Sequence, residues 1–382
     1  MAILFRCTSA RPLAVSTHLQ VMADGAAGGG ATILLGLVAR LVEDGNTVHV
    51  LTEASSYVAV QAVLLGAIVH TDRFFRSKWD PGLTHRLVRL ADQVRPDIIH
   101  LHGGRAMFAG RRVGRSSQRR SPVVYTVHGY HFAHRSLASR VIGGFGERLG
   151  AKGADAIVFV CEFDRALGSD HGWIPASAHC TVIRNGVDTV AIAPGLSART
   201  PRPQGMRRIA FIGRLVEQKD PLLALSVLAL MADDIELVMI GGGALEAAVL
   251  GRVKALGLAH RVRVLGAVDR NTALTHLAEA DVMLMTSRWE GLPVAAIESM
   301  ALGVPVVAPA ISGIPEVVAH GVSGLLVNDR SPGSFVEALN VVLAHDMSDM
   351  RVSARERATT DFDWSTCADA HIDLYARMVS FL

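Results

Sequence analysis

Short runs rich in β-branched residues alternate with longer helical segments along most of the chain, and this alternation constrains the fold more than any other feature. It is typical of βαβ units, whose strands pair in parallel sheets. Six strand candidates lie within residues 18–185 and five more lie within residues 208–309. Between the two series, residues 191–208 are rich in Pro, Gly and Arg, which predicts an interdomain linker. The sequence therefore predicts two α/β domains with sheets of similar size.

Composition indicates a folded chain and gives a hypothesis for its compartment. The chain has 382 residues, too many for one compact core, and 50% of them are hydrophobic. The N-terminal segment lacks the apolar core of a signal peptide, and no apolar stretch reaches the roughly 18 residues of a membrane span. The scattered cysteines form no C-x-x-C pair, so neither a disulfide framework nor a zinc site is suggested. We expect a cytoplasmic protein that does not cross a bilayer.

Charge is distributed unevenly along the chain. Residues 1–200 carry 22 Lys and Arg against 14 Asp and Glu, whereas the remainder carries 16 against 21. The surplus concentrates in residues 105–152, which hold ten basic residues. A solvated face explains such a stretch, and so does attraction to an anionic membrane surface or a phosphorylated acceptor. Because the stretch has few aromatic residues and no nucleic-acid motif, we expect no nucleic-acid partner.

Two carboxylates, Glu290 and Glu298, flank a turn that leads from a buried strand into a helix. The sequence predicts that this helix begins at Pro293, where a missing N–H costs least. Amides at the N-terminal end of a helix bind phosphate or sugar oxygens, and carboxylates accept hydrogen bonds from vicinal hydroxyls. The amides concerned are those of Gly291, Leu292 and Val294. This chemistry suits a nucleotide sugar, although two glutamates at this spacing also arise by chance.

A second basic element follows the strand that ends at Gly213. Arg214 and Lys219 lie in the loop after it, within FIGRLVEQKDP. A diphosphate leaving group needs fixed positive charge, and a glycine at the end of a strand lets backbone approach its oxygens closely. We expect this pair to bind a diphosphate, with ordinary surface charge as the alternative.

Two glycine-rich turns follow strands, at residues 25–31 and 240–248. Neither completes G-x-G-x-x-G, because the third glycine is absent from both. Contact with a phosphate and tight strand-to-helix turning remain alternatives for each.

His128, with Gly129 behind it, lies at a strand end, where an α/β sheet usually builds its crevice. We expect it to have a role in the site. The other histidine candidates are His100, His102 and His131.

These motifs, in this order, resemble the retaining glycosyltransferases of family 4, which have a GT-B fold. Residues 290–298 resemble the family's E-x7-E element, and FIGRLVEQKDP resembles its G-R-L-x-x-x-K element. TVIRNGVDT and VSGLLV resemble its V-I-P-N-G-I-D and G-x-x-G-L-L-V segments. The resemblance covers nearly the whole chain from His18. It implies two Rossmann-like parallel-sheet domains facing a central cleft, with a C-terminal helix that is a candidate to cross back to the first domain.

The resemblance also implies roles for individual residues. Glu298 would hold the ribose hydroxyls, Glu290 the transferred sugar, and Arg214 and Lys219 the diphosphate; His128 would lie near that sugar. The catalytic set, without a metal, is then His128, Glu290, Arg214 and Lys219. Besides Glu298, the donor-binding set comprises Gly28, Gly29, Gly30, Gly213, Gly241, Gly242, Val268, Gly291, Leu292 and Val294.

Domain boundaries follow from the linker and the motifs. Residues 1–16 are expected to form an N-terminal extension, and residues 17–195 an acceptor-side Rossmann-like domain. Residues 196–207 would be the linker and residues 208–360 the donor-binding domain. A C-terminal helix is expected over residues 361–382.

The expected activity is transfer of a hexose, with retention and without a metal, from a nucleotide diphosphate sugar of UDP or GDP type. The acceptor would be a glycan, a lipid-linked molecule or a small molecule, in cell-surface polysaccharide or glycoconjugate synthesis. No further cofactor is expected, and association with the inner membrane face would be peripheral. Three alternatives remain: an NAD(P)-dependent Rossmann oxidoreductase using Glu53, a GT-B nucleotide-sugar epimerase, and a silent sugar-nucleotide binding protein.

Overall fold

The computed structural model describes residues 15–72, 82–116, 120–176, 178–192, 205–344 and 347–380. The chain forms two compact units, one of residues 1–186 with 365–382 and one of residues 187–364. The first unit therefore ends at Gly186, before the predicted boundary at residue 195. Most of the predicted N-terminal extension and of the predicted linker lies outside the described residues.

The first unit contains a parallel seven-stranded sheet in the order β3-β2-β1-β4-β5-β6-β7. Its strands are β1 (Thr17–Met22), β2 (Thr47–Thr52), β3 (Ile68–Thr71), β4 (Ile98–His102), β5 (Val123–Val127), β6 (Ala156–Phe159) and β7 (His179–Val182). Its helices before the C-terminal segment are α1 (Gly29–Glu43), α2 (Tyr57–Leu64), α3 (Leu83–Val94), α4 (Gly103–Gly110), α5 (Val113–Ser116), α6 (Leu137–Ala151) and α7 (Glu162–Asp170), with a 3-10 turn at His131–His134.

The second unit contains a parallel six-stranded sheet in the order β10-β9-β8-β11-β12-β13. Its strands are β8 (Arg207–Ile212), β9 (Ile235–Ile240), β10 (Val262–Val264), β11 (Val282–Leu284), β12 (Val306–Pro309) and β13 (Gly324–Val327). Its helices are α8 (Thr189–Ile192), α9 (Pro221–Leu228), α10 (Glu246–Ala255), α11 (Arg270–Ala278), α12 (Val294–Ala301), α13 (Ile314–Val317), α14 (Pro332–Ala344) and α15 (Ser348–Asp361).

Burial explains why these segments form parallel sheets. Every residue of β4, β5, β6, β11 and β12 is buried, as expected for strands with helices on both faces of the sheet. In each unit the strand order reverses beside the first strand, at the β1/β4 junction and at the β8/β11 junction. Loops at the carboxyl ends of such a switch point form the usual ligand crevice of this architecture.

The last helix, α16 (Trp364–Ser380), belongs almost entirely to the first unit. Arg40 of α1 donates to Asp369 at 2.8 Å, and the Tyr375 hydroxyl lies 2.6 Å from His100 Nδ1. The predicted return of this helix to the first domain is thus observed. It begins at Trp364 rather than at residue 361, because Asp361 still ends α15.

None of the helices in the described parts of the chain is both long and apolar enough to span a membrane.

Candidate functional site

Lys219 and Glu290 form the centre of the candidate site in the second unit. Lys219 lies in the loop after β8, and Glu290 lies in the loop after the neighbouring strand β11. The two are separated by 71 positions in sequence, yet Lys219 Nζ donates to Glu290 Oε1 at 2.5 Å. Ser287 Oγ donates to the same oxygen at 2.6 Å. The fold therefore brings the predicted cation and the predicted carboxylate into direct contact at the switch point.

The Lys219–Glu290 pair is shielded from solvent. The Lys219 side chain is 17% exposed and that of Glu290 is 7% exposed. A charge pair with so little solvent around it is held strongly, because each charge loses its counter-charge if the partner leaves. The pair is therefore a preformed element, and a ligand phosphate near Lys219 would compete with Glu290 for the ammonium.

Asp220 fixes the backbone that carries Lys219. It has a left-handed φ of 48°, which is strained for a residue with a side chain. Its carboxylate accepts from Arg288 at 3.1 Å and from Arg330 at 2.6 Å. Thr286 Oγ1 lies 2.9 Å from the carbonyls of both Lys219 and Asp220. These bonds tie the β8 loop to the β11 loop and restrict where Lys219 can lie.

Glycines allow the loops after β8 and β9 to touch. Gly241 has a φ of 132°, and a Cβ there would lie 2.1 Å from the Gly213 carbonyl oxygen. The Leu215 amide donates to the Gly242 carbonyl at 2.9 Å, and the Gly241 amide donates to the Gly266 carbonyl at 2.8 Å. The predicted phosphate-contacting glycines are thus first of all residues of close backbone packing.

Glu298 is paired with a residue that the sequence did not single out, Arg270. Arg270 Nε and Nη2 donate to Glu298 Oε1 at 3.0 and 2.8 Å. Arg270 is the first residue of α11, whose N-cap Asp269 accepts from the Thr272 amide. Because Arg270 occupies only one of the two carboxylate oxygens, the other remains an acceptor for ligand hydroxyls.

The helix after the β11 loop begins one residue later than predicted. Pro293 has a ψ of 106° and is the N-cap, so α12 starts at Val294. The carbonyl of Pro293 accepts the first bond, from the Ala296 amide at 3.1 Å, as an N-cap carbonyl does. Gly291, Leu292 and Val294 are all buried at this helix end.

The remaining predicted residues of this unit differ in their surroundings. Val268 is half-buried beside a small apolar cluster that includes Ile240 and Ala273. Arg214 is exposed, and its side chain has no bonding partner within the described residues. Arg214 is therefore available to a ligand without breaking a contact, whereas Lys219 is not.

In the first unit, His128 lies directly after β5, beside the N-terminal end of α1. A Cβ on Gly30 would be 3.4 Å from the His128 ring, so the ring packs against the glycine turn. Gly28 is the N-cap of α1, and Gly28 and Gly29 are exposed. The structure thus brings the predicted glycine turn and the predicted histidine together.

A chain of hydrogen bonds fixes the His128 ring. His102 Nε2 lies 2.9 Å from Gln20 Oε1, and His102 Nδ1 lies 3.2 Å from His128 Nε2. The Gln20 oxygen is an acceptor only, so His102 carries its proton on Nε2 and accepts at Nδ1. His128 must then donate from Nε2. When neutral, it keeps its Nδ1 lone pair for a ligand.

Burial keeps this histidine group neutral. Burial, together with His371 and His131, lowers the pKa of His128 from 6.5 to about 4. Burial and the charges of His128 and His371 lower the pKa of His102 well below its usual range. No group of three or more His, Cys, Asp and Glu within the described ranges is arranged to hold a metal ion.

Two family models match the chain in succession. The model described as Glycosyltransferase Family 4 matches residues 27–191, and the model described as Glycosyl transferases group 1 matches residues 196–361. The chain belongs to the family 4 glycosyltransferases. The predicted family and the predicted hexosyltransferase class are confirmed, and the oxidoreductase alternative is not supported.

Sequence relatives of this glycosyltransferase cover most of its length. A D-inositol 3-phosphate glycosyltransferase of Mycolicibacterium vanbaalenii is 29% identical over 417 residues, covering 97% of this chain and 90% of the relative. A glycogen synthase of Mycobacterium tuberculosis is 27% identical over 316 residues, covering 78% of this chain and 75% of the relative.

Solved structures share the fold of this glycosyltransferase. HepE of Anabaena, in complex with UDP and glucose, matches with a TM-score of 0.77 at 20% identity, covering 95% of this chain and 100% of that chain. Sucrose-phosphate synthase of Thermosynechococcus elongatus matches with a TM-score of 0.79 at 19% identity, covering 96% and 100%. The predicted GT-B fold class, with two Rossmann-like parallel-sheet domains, is confirmed.

Sequence reasoning missed several residues of the glycosyltransferase site. Ser287 and Gln218 contact Glu290, Arg270 contacts Glu298, and Gln20 orients His102. Ser287 lies three positions before Glu290, and Gln218 directly precedes Lys219, so proximity to a motif was an available signal. Nothing local marks Gln20 or Arg270, because their partners are 82 and 28 positions away in sequence.

Proposed function

We propose that this glycosyltransferase moves a hexose from a nucleotide diphosphate sugar of UDP or GDP type to an acceptor, with retention and without a metal. The observation that carries the proposal is the preformed Lys219–Glu290 pair at the β8/β11 switch point, beside the N-terminal end of α12. It joins a cation suited to a diphosphate with an acceptor suited to sugar hydroxyls. The relative solved with UDP and glucose is consistent with such a donor.

Lys219 and Arg214 supply the positive charge that the leaving diphosphate needs. Negative charge grows on that group as the glycosidic bond breaks, so fixed cations stabilise the transition state more than the ground state. The exposed Arg214 reaches the diphosphate without losing a contact. Lys219 moves part of its interaction from Glu290 to phosphate oxygen, and no additional metal cofactor is needed in this mechanism.

Glu290 orients the sugar and does not attack it. Its Oε1 already accepts from Lys219 and Ser287, and such charge-assisted bonds draw electron density from the carboxylate. These bonds make Glu290 a poor nucleophile, while Oε2, which lies 3.5 Å from Gln218 Nε2, still has room to accept from a sugar hydroxyl. This supports front-side attack by the acceptor hydroxyl, whose proton passes to the departing diphosphate.

Glu298 holds the ribose, with Arg270 keeping the carboxylate in place. In the first unit, the neutral His128 accepts a hydrogen bond from a hydroxyl of the transferred sugar through Nδ1. The exposed glycines at the start of α1, Gly28 and Gly29, offer backbone amides to a phosphate group or to the acceptor. The acceptor is a glycan, a lipid-linked molecule or a small molecule of cell-surface glycoconjugate synthesis, and work on a lipid-linked acceptor takes place at an anionic inner membrane face.

The decisive experiment has two steps. Thermal unfolding is first recorded with a panel of UDP-, GDP- and ADP-sugars, because a bound donor raises the unfolding midpoint by mass action. The donor that binds is then incubated with an acceptor panel, and the anomeric configuration of the product is determined by NMR with and without EDTA.

We expect a product with the donor's anomeric configuration and a rate unaffected by EDTA. An inverted product, or a rate abolished by EDTA and restored by a divalent cation, contradicts the mechanism. Conversion of the donor to another nucleotide sugar without an acceptor identifies an epimerase. Binding without any turnover across the panels favours the silent binding protein.

A further inference from the structure

Helix α6 has its apolar and polar faces reversed relative to an ordinary surface helix. Its buried residues are Gly144, Glu147, Gly150 and Ala151. Its large apolar side chains all point outward: Leu137 is 74% exposed, Val141 64%, Ile142 63%, Phe145 71% and Leu149 40%. These five residues form the outward face of α6. Four of them, at positions 137, 141, 145 and 149, follow a four-residue spacing and so form one continuous stripe.

The packing of α6 locks this orientation. A Cβ on Gly143 would lie 2.4 Å from the Phe132 ring, and a Cβ on Gly144 would lie 2.2 Å from Trp173 Nε1. The Tyr125 hydroxyl donates to Glu147 Oε1 at 2.5 Å from the other side. The glycine stripe and this buried bond prevent the helix from rotating to cover its own apolar side chains.

Basic residues surround the outward face. Arg135, Arg148 and Lys152 are exposed, and none of them forms an ion pair with any residue that the structure describes. Arg140 is also exposed, but its guanidinium lies 3.3 Å from His171 Nε2, away from this face. The only acid of the helix, Glu147, is buried among protein atoms, and burial raises its pKa to about 7. The face is therefore apolar in its centre and cationic at its rim.

We propose that the outward face of α6 docks this glycosyltransferase on an anionic lipid bilayer. The apolar side chains enter the interfacial region, while Arg135, Arg148 and Lys152 contact lipid phosphates, which is how interfacial helices bind. The cationic rim selects an anionic lipid surface over a neutral apolar partner. This inference rests on the proposed transfer to a lipid-linked acceptor, because it gives the enzyme a means of reaching one.

The position of α6 in the fold connects the docking surface to the site. The chain runs from His128 at the end of β5 through the 3-10 turn to α6. Phe132 of that turn packs against Gly143 of α6 and against Trp173. A bilayer bound at the outward face therefore lies against the helix that follows the site histidine.

Sedimentation with vesicles tests the proposal. The wild-type chain is mixed with phosphatidylcholine vesicles and with vesicles that also contain phosphatidylglycerol, at low and at physiological ionic strength. We expect binding to the anionic vesicles, and hydrogen exchange slowed in residues 137–151 on binding. Val141→Ser with Phe145→Ser should weaken binding by about tenfold or more, since the apolar contribution is lost.

The charge contribution has its own variant. Arg148→Gln with Lys152→Gln should weaken binding by about fivefold per charge at low ionic strength, and the loss should shrink as salt screens the remaining charges. Leu250→Ser is the matched control, because Leu250 is 52% exposed on α10 of the other unit. It should bind as wild type does. Unfolding midpoints of all variants identify any that misfold.

Several results would overturn the proposal. The first is that wild-type protein remains in the supernatant with anionic vesicles at low salt. The second is that the Val141→Ser, Phe145→Ser variant binds these vesicles as tightly as wild type does. A lipid-free dimer that this variant dissociates would assign the face to a second copy of the chain. Stabilisation by a nucleotide sugar, measured without lipid, separates the two ideas: if it persists while vesicle binding is absent, only the docking inference fails.

Discussion

The two units place their polar residues at the same topological position but use opposite electrostatics. At the β8/β11 switch point the second unit holds a charged pair, Lys219 with Glu290, and a second charged pair, Arg270 with Glu298, links α11 to α12. At the β1/β4 switch point the first unit holds a neutral chain, Gln20 with His102 and His128. The difference teaches that one fold supports two kinds of site, since side chains at the strand ends, and not the sheet, set the charge.

The largest effect on activity is expected in the second unit, from Lys219→Ala. Loss of a fixed cation that stabilises the leaving diphosphate should lower kcat/KM by a factor of about 100 to 1000. The measurement is initial rate against donor concentration, with the unfolding midpoint recorded in parallel because Glu290 loses its partner. Lys254→Ala, at an exposed lysine on α10 of the same unit, is the control. Near-normal turnover by Lys219→Ala would remove this lysine from the mechanism.

In the first unit, the neutral histidine chain should make the free energy of unfolding depend on pH in the acid range. Burial lowers the pKa values of His18, His128 and His371 from 6.5 to about 4. Between these values the unfolded chain binds protons that the folded chain does not, so stability is lost as pH falls from about 6.5 towards 4. Each of these groups contributes about 3 kcal/mol over that window.

The measurement for this prediction is the midpoint of chemical unfolding at a series of pH values. His371→Leu removes one of these groups, so its stability should depend less steeply on pH than that of wild type. A wild-type midpoint that stays constant from pH 6.5 to 4 would contradict the assignment of a neutral cluster.

A smaller effect is expected when the support of Glu298 is removed. Arg270→Ala should raise the donor KM by about tenfold with little change in kcat, because a carboxylate that holds the ribose binds ground state and transition state alike. Arg252→Ala on α10 provides an exposed arginine control. Arg270→Lys should restore part of the affinity. A fall in kcat at unchanged KM would instead place Arg270 at the reacting centre.

The sequence predicted the architecture better than it predicted the contacts. Eleven of the strands were anticipated, because buried parallel strands are continuous apolar runs. The strands that were missed, β3 and β13, are edge strands with half-exposed residues such as Val69 and Leu325, although the other two edge strands, β7 and β10, were anticipated. An edge position therefore weakens the apolar signal of a strand without removing it.

The motifs predicted the residues of the site but not which of them contact each other. Lys219 and Glu290 were assigned to different parts of the donor, yet the fold joins them 71 positions apart. Pairing of this kind depends on strand order, which a local pattern does not specify. Pro293 was placed inside the helix because its φ suits both the first helical position and the N-cap, and only its ψ distinguishes them.

The smallest effect is expected from variants of Gln20, which test whether this residue sets the proton position on His128. Gln20→Leu removes the acceptor of the His102 Nε2 proton, so the tautomer is no longer fixed, and kcat/KM should fall by about fivefold to tenfold. Gln20→Glu keeps an acceptor but adds a negative charge beside His102, which favours the protonated form. The acid limb of the pH profile of kcat/KM should therefore move to higher pH in Gln20→Glu. A residue that only fills space would change the rate without moving that limb, so an unshifted limb would assign Gln20 to packing alone.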